Sequence, residues 1–341
     1  MQRRGFILLL VATVVMVAGA VLSLRSGEGM VTRAAPGERA LPGLAPKLDA
    51  LAWIRLTRGA MKADFAQIGG HWVVAEKGNY PADEPRVRRL LLALADLELI
   101  EPKTRVPALF PRLDVDDPAN GKATEVVVQD TSGQVVGQLI VGKSRPDRLG
   151  GGNDGVYVRR VGKDRAWLAR GSLDVSGDLV DWLNRHILDI PGGRIATMIF
   201  TGAHQGVAVI GRHSATDPFA VENVPANAKL KGQQVISAPA AALEGLDLID
   251  VKPLTEEPVP RSGVATAAFT TLDGLTLRLK LFETDGKDWI AIETESHGTR
   301  TAAESKAINA RVGHWAYAIP PYKAKMLRTR LEDLLVPAKG S

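Results

Sequence analysis

The sequence predicts an α+β protein of two tandem repeated units, each an antiparallel β-meander with packed helices, following an N-terminal transmembrane helix. Three observations lead there. An eleven-residue passage occurs twice: Ala93-Leu94-Ala95-Asp96-Leu97-Glu98-Leu99-Ile100-Glu101-Pro102-Lys103 returns 149 residues later as Ala242-Leu243-Glu244-Gly245-Leu246-Asp247-Leu248-Ile249-Asp250-Val251-Lys252, identical at six of eleven positions. Self-similarity at a fixed offset marks a duplicated supersecondary unit. Second, short alternating apolar runs recur between turn residues, with helical spacing among them. Third, a chain of 341 residues exceeds the roughly 250–300 at which a single core stops growing. The boundaries expected are an anchor at 1–25, a flexible linker at 26–47, and repeat units at 48–192 and 193–341.

Residues 5–24 read GFILLLVATVVMVAGAVLSL without a charge, flanked by Arg3 and Arg4 before and Arg25 after. At ~1.5 Å per residue this stretch just covers a hydrocarbon layer of about 30 Å. The short basic N-terminus should stay cytoplasmic, which exports everything after Arg25. Ala18-Gly19-Ala20 offers the competing reading of a cleaved signal peptide. The apolar run continues through Val21, Leu22 and Leu24, which favours a retained anchor. The localisation expected is the bacterial inner membrane, single-pass, with the body in the periplasm. Residues 26–47 then read as a tether, because Gly27, Gly29, Gly37, Gly43, Pro36, Pro42 and Pro46 interrupt any period.

In the first unit Trp53–Thr57 alternates as a half-buried strand and His71–Ala75 follows as a second. A helix is expected next. Asp83 suits its N-cap, Pro85 its first turn, and Val87, Leu90, Leu91, Leu94 and Leu97 recur on one face, leaving Arg86, Arg88 and Arg89 to solvent. Residues 125–129 and 135–142 flank Asp130-Thr131-Ser132-Gly133 as a hairpin. Two more strands, 156–161 and 165–169, extend the meander, and the spacing of Leu179, Trp182, Leu183 and Ile187 predicts a helix over 176–187. Pro191-Gly192-Gly193 closes the unit. The second unit repeats the order, with a strand at 197–201, Phe219-Ala220-Val221-Glu222 in the place of Trp72–Glu76, a hairpin beginning at Ala265-Thr266, and strict alternation over Leu275–Leu281. Helices are expected near 302–315 and 322–335.

Composition excludes several functional classes. Hydrophobic residues make up 45% and charged residues 24%, ordinary for a folded chain. The net charge of +5 invites a nucleic-acid reading, but the basic residues are dispersed over separate elements, so no nucleic-acid partner is expected. Without cysteine the chain has no disulfide, thiolate metal site or thiol nucleophile.

No local pattern supplies a reaction. His71, His186, His204, His213, His297 and His314 lack partners at ligand spacing. Asp114, Asp116, Asp117 and Asn120 resemble a calcium loop, but Pro118 occupies a ligand position and Gly121 stands at the eighth position instead of the sixth. The glycine-rich run 149–155 precedes a strand, whereas a phosphate cradle needs a helix. His314–Tyr322, the most aromatic stretch, could serve as a partner-binding surface but reads better as core packing. No catalytic, cofactor-binding or metal-ligating residue is assigned, no cofactor is expected, and the chain reads as non-enzymatic.

Several phrases in order carry a family resemblance: Tyr80-Pro81-Ala82-Asp83, Lys103-Thr104 with Pro107-Ala108-Leu109-Phe110, Leu113-Asp114-Val115 with Asp117-Pro118, Tyr157-Val158-Arg159, Trp182-Leu183 with Ile187–Ile190, and Trp315–Lys323. Together they resemble domain-of-unknown-function family 4340, bacterial membrane-anchored proteins with a repeated α+β body. The resemblance implies an association with ABC-type transport systems related to those of gliding motility, hence the inner membrane and a transporter permease or auxiliary subunit as partners. The function expected is that of an accessory or scaffolding protein of such an assembly. The alternative is a secreted glycan- or lipid-binding protein or enzyme of the envelope, released by cleavage near Ala20.

Overall fold

The computed structural model describes residues 38–146, 154–175, 177–202 and 207–337. The expected anchor and the start of the expected linker lie outside them. The chain forms two compact units, and the division is not a single cut. The first unit runs to Trp72 and resumes over Glu84–Leu179; the second takes Val73–Asp83 and everything from Val180.

In the first unit β1 (Glu38–Arg39) is followed by the long strands β2 (Leu51–Arg58) and β3 (Met61–Ile68). Then β4 (His71–Val74) runs into the segment that belongs to the second unit, where its Val73 and Val74 pair with β5 (Tyr80–Pro81). Helix α1 (Glu84–Asp96) leads into β6 (Glu98–Pro102), and the meander β7 (Thr124–Asp130), β8 (Val135–Arg145), β9 (Gly155–Arg160) and β10 (Ala166–Arg170) completes the unit. The sheet order is β1-β6-β10-β9-β8-β7-β2-β3, antiparallel at each pairing.

The helical period of α1 is realised: Val87, Leu90, Leu91, Leu94 and Ala95 are buried while Arg88 and Arg89 face solvent. Arg86 does not. It lies half-buried and pairs with Asp174 at 2.9 Å. The β7–β8 turn forms because the Asp130 carboxylate accepts from the Ser132 and Gln134 amides while Gly133 takes a positive φ of 81°.

Two expectations need correction here. The linker does not extend to residue 47, because Glu38–Arg39 pairs with β6, and Ala40 and Leu44 are fully buried. The Arg160 guanidinium fastens this segment, donating to the Ala40 and Arg39 carbonyls at 2.8 and 2.7 Å and to Glu38 Oε1 at 2.8 Å. Nor is 176–187 a helix. Only a 3-10 turn forms at Leu179–Trp182, and His186–Leu188 is a strand, β11, paired with β15 (Leu246–Asp247). The apolar spacing there places Trp182, Leu183 and Ile187 in the core from irregular and extended backbone, since strand pairing outcompetes a short helix.

The second unit continues with β12 (Ile195–Thr201), β13 (Val207–Gly211) and β14 (Ala220–Val221), then helix α2 (Gln233–Ser237), β15 and β16 (Asp250–Pro253). The hairpin β17 (Ala265–Thr271), β18 (Leu275–Thr284) and β19 (Lys287–Ser296) follows, then α3 (Ala302–Val312), β20 (Trp315–Ala318), α4 (Pro321–Leu327) and α5 (Leu331–Leu334). Its sheet has eight strands in the order β14-β13-β12-β17-β18-β19-β20-β16. Read from one side, β3-β2-β7-β8-β9-β10-β6 in the first unit and β13-β12-β17-β18-β19-β20-β16 in the second are filled in the same chain order.

The twice-occurring passage keeps its burial but changes its backbone. Leu94, Leu97 and Leu99 are buried, as are Leu243, Leu246 and Leu248. The first copy ends an α-helix; the second ends a 3-10 turn, Ala238–Leu243, because Pro239 lacks the N–H that would continue α2. The expected helix over 302–315 stops at Val312, and Trp315 belongs to β20. The one expected over 322–335 breaks between Leu327 and Leu331, where the Thr329 hydroxyl bonds the Met326 carbonyl. Helix α3 is joined to β19 by Asn309, whose amide donates to the Thr294 carbonyl at 2.7 Å and accepts from its N–H at 2.8 Å, like a neighbouring strand.

Gly142 in β8 marks a close backbone approach. A Cβ there would stand 2.2 Å from the Leu113 carbonyl oxygen and 2.7 Å from that of Asp114. Gly142→Ala is therefore expected to destabilise the first unit by about 3 kcal/mol, the upper range for overpacking, in a chemical-denaturation series.

Candidate functional site

A cavity in the second unit lies where the C-terminal end of β12, the start of β17 and the end of β18 meet the segment from α4 to α5. Its volume is ≈ 520 Å³, within the range of small-ligand sites. The floor is apolar, built from Phe200 and Leu327, both buried. Gly263 leaves the backbone open on one side, since a Cβ there would meet nothing within 4 Å. Thr201 and Thr266 are direct partners across the β12–β17 ladder, so both hydroxyls leave the same face of the sheet.

Charged residues complete the walls. Arg328 pairs with Asp288 at 2.5 Å, and Arg330 forks onto Asp333 at 3.2 and 3.3 Å. Burial tends to raise the Asp333 carboxyl, but the Arg330 hydrogen bonds outweigh it and hold the group below the usual carboxylate range. Those walls are neutralised pairwise. Among the described residues, Lys325 and Glu283 line the cavity with exposed side chains that form no hydrogen bond or ion pair, and the Thr201 and Thr266 hydroxyls are likewise unengaged. The site thus presents one cation, one anion and two hydroxyls over an apolar floor. In the first unit a depression of ≈ 330 Å³ beside α1 is lined by Arg86, Arg89 and Asp174, with Arg86 paired to Asp174 at 2.9 Å.

Elsewhere in the second unit, residues Val73–Asp83 are fixed by a charged clamp and a phenol. Asp250 receives Lys77 at 2.5 Å, Lys287 at 2.8 Å and the Val251 N–H at 2.8 Å. Burial works against the ionised carboxyl, and the two ammonium groups and the amide outweigh it, so its pKa falls below the ordinary 3.8. Tyr80 stands edge-on to Trp315, with ring centroids 5.0 Å apart, and donates to the Asn184 carbonyl at 3.0 Å. Burial pushes its pKa up to about 12. Gly78, at φ 65°, passes so close to Pro253 that a Cβ would meet its ring at 2.9 Å.

The residues weighed from the sequence fall elsewhere. His71 pairs with Glu84 at 2.7 Å and His186 with Asp247 at 3.5 Å; these two, His213, His297 and His314 are all exposed, and His204 lies outside the described residues. Asp117 caps the Pro118–Asn120 turn through the Ala119 amide, and Asp116 accepts from the Asn120 side chain, so these acids organise their own loop. Most of the glycine-rich run, residues 149–153, is also outside. In the aromatic stretch Tyr317 is buried against Tyr80, as core packing requires, while Tyr322 is 62% exposed. Among the described residues no group of three or more His, Asp or Glu is arranged to hold a metal, and no helix is long and apolar enough to cross a membrane. Sequence reasoning missed the cavity because Thr201, Thr266, Glu283 and Lys325 come from four elements and form no local motif.

Fold and cavity together define a mixed α+β protein of antiparallel sheets with a polar groove in its second unit. The profile of the family described as Domain of unknown function (DUF4340) matches residues 72–258, more than half of the chain, and the protein belongs to that family. Comparison with curated proteins and with solved structures finds no match.

Two pH responses follow. Because the folded Asp250 titrates below its unfolded value, its stabilisation is complete above pH 3.8 and fades as the pH falls through the lower folded pKa. Asp250→Asn should therefore lower stability at neutral pH, with a difference from wild type that shrinks in acid-denaturation curves below that point. Tyr80 behaves oppositely: stability present below pH 10 declines as the pH rises toward about 12, since the unfolded phenol ionises first. Tyrosinate absorbance should show two late-titrating phenols, since burial also pushes Tyr317 up, and Tyr80→Phe should remove one of them.

Proposed function

We propose that this protein is a single-pass, inner-membrane-anchored accessory or scaffolding subunit of an ABC-type transport assembly, without catalytic activity of its own. The observation that carries the reading is the twenty-residue uncharged segment Gly5–Leu24 between Arg3-Arg4 and Arg25, long enough to span a bilayer with the body on the periplasmic side. Membership of the family supports it through the association that the resemblance implies. The duplicated passage and the matching chain order of the two sheets support descent of the body from one α+β unit by tandem repetition. A body with two similar sheets and internally paired charges offers contact surface to a partner.

A second reading is favoured by Ala18-Gly19-Ala20 together with the polar groove: a released envelope protein that binds a glycan or lipid, or acts on one. Two measurements separate the readings. With a retained anchor, N-terminal sequencing of the protein from alkali-washed membranes gives an intact Met1–Arg25, and affinity purification in mild detergent recovers an ABC permease or auxiliary subunit. A mature chain starting near Val21 in the soluble fraction would sink the first reading.

A further inference from the structure

We infer that the groove between the β12, β17 and β18 ends and the α4–α5 segment is a binding site for a small zwitterion, an amino acid or short peptide with both ends free. The inference rests on the groove alone and stands whether or not the anchored-accessory reading holds.

The argument is one of charge accounting within a defined space. Five ionisable side chains line the groove. Arg328 is neutralised by Asp288, just outside it, and Arg330 by Asp333. Among the described residues, what remains uncompensated is Lys325 on α4 and Glu283 at the end of β18, one charge of each sign. A surface whose net field is that of a separated plus and minus is complementary to a ligand with the same separation, reversed. An ammonium group would meet Glu283 and a carboxylate Lys325, both as charge-assisted hydrogen bonds. The paired hydroxyls of Thr201 and Thr266, together with the backbone at Gly202 and Gly263, can satisfy a peptide N–H or C=O between the ends.

Other ligand classes fit less well. A phosphate or other simple anion would find one free cation while facing the carboxylates of Glu283 and Asp333. A divalent cation would find one free carboxylate beside three basic residues. A purely apolar ligand would desolvate Lys325 and Glu283 without replacing their water, and the buried Phe200 and Leu327 offer it little area in return.

The test uses the full chain in calorimetric titration with alanine, dialanine and trialanine, whose lengths sample the separation of the two charges. At least one is expected to bind. For that probe, N-acetylation should weaken affinity about tenfold or more, as should C-terminal amidation, because each removes a charge-assisted contact. Lys325→Ala should cost the free peptide a similar factor and leave nothing further for amidation to remove; Glu283→Gln should do the same toward acetylation. Both side chains are exposed, so unchanged melting temperatures are expected, and the blocked peptides test the idea on the wild-type protein even if a variant folds poorly. The proposal is overturned if none of the three probes binds, if the blocked peptides bind as well as the free one, if both variants bind like wild type, or if inorganic phosphate binds more tightly than any of them.

Discussion

Each unit depends on one long-range pairing. The strand that follows the helical passage early in the unit, β6 or β16, is hydrogen-bonded to the last strand of the meander, β10 or β20, with Glu98 opposite Arg170 in one and Asp250 opposite Ala318 in the other. Until that last strand arrives, one edge of the early strand is open and the leucines around it, Leu97 and Leu99 or Leu246 and Leu248, have incomplete cover. Closing so large a loop costs chain entropy before any contact repays it, which makes each unit cooperative and slow to nucleate by comparison with a run of local hairpins. The twice-occurring passage holds the same place in both sheets. It supplies the residues that must fit both the early helix or turn and the late strand.

Much of this was legible in the sequence wherever the signal was local. The alternation of Leu275–Leu281, the Asp130–Gly133 turn and the apolar stripe of α1 each follow from a period of two, a turn residue at a fixed offset, or a period near 3.6. The failures share a cause. Ile187 fits a helical stripe until β15, some sixty residues on, claims it as a strand; Trp315 fits the end of a helix until β16 claims it opposite Pro253. The composition of 26–47 looked like a tether because glycine and proline dominate it, yet Ala40, Leu41 and Leu44 were the visible sign that its far end is packed. Burial created by a distant partner is invisible to a window of ten or fifteen residues.

The groove was unreadable for the same reason, taken further. Its free groups are common exposed residue types, and only the pairing of Arg328 with Asp288 and of Arg330 with Asp333 reveals that, among the described residues, Lys325 and Glu283 are the ones left over. A sequence shows which charges exist; which of them are already spoken for is a property of the fold. Pairing is widespread in this chain, from the Lys280–Glu293 and Arg278–Glu295 rungs across the β18–β19 hairpin to the Arg194 fork on Asp273 and Glu304. Surface pairs of this kind contribute little to stability one by one.

The assignment of Val73–Asp83 to the second unit has a genetic corollary. Lys77, Gly78 and Tyr80 are encoded between two stretches of the first unit, yet their partners Asp250, Pro253, Asn184 and Trp315 all belong to the other. A crossover at the 179/180 joint, the obvious place to swap one module for another, would hand the recipient a second half lacking its own plug. An exchange that keeps the second unit whole must carry residues 73–83 together with everything from Val180.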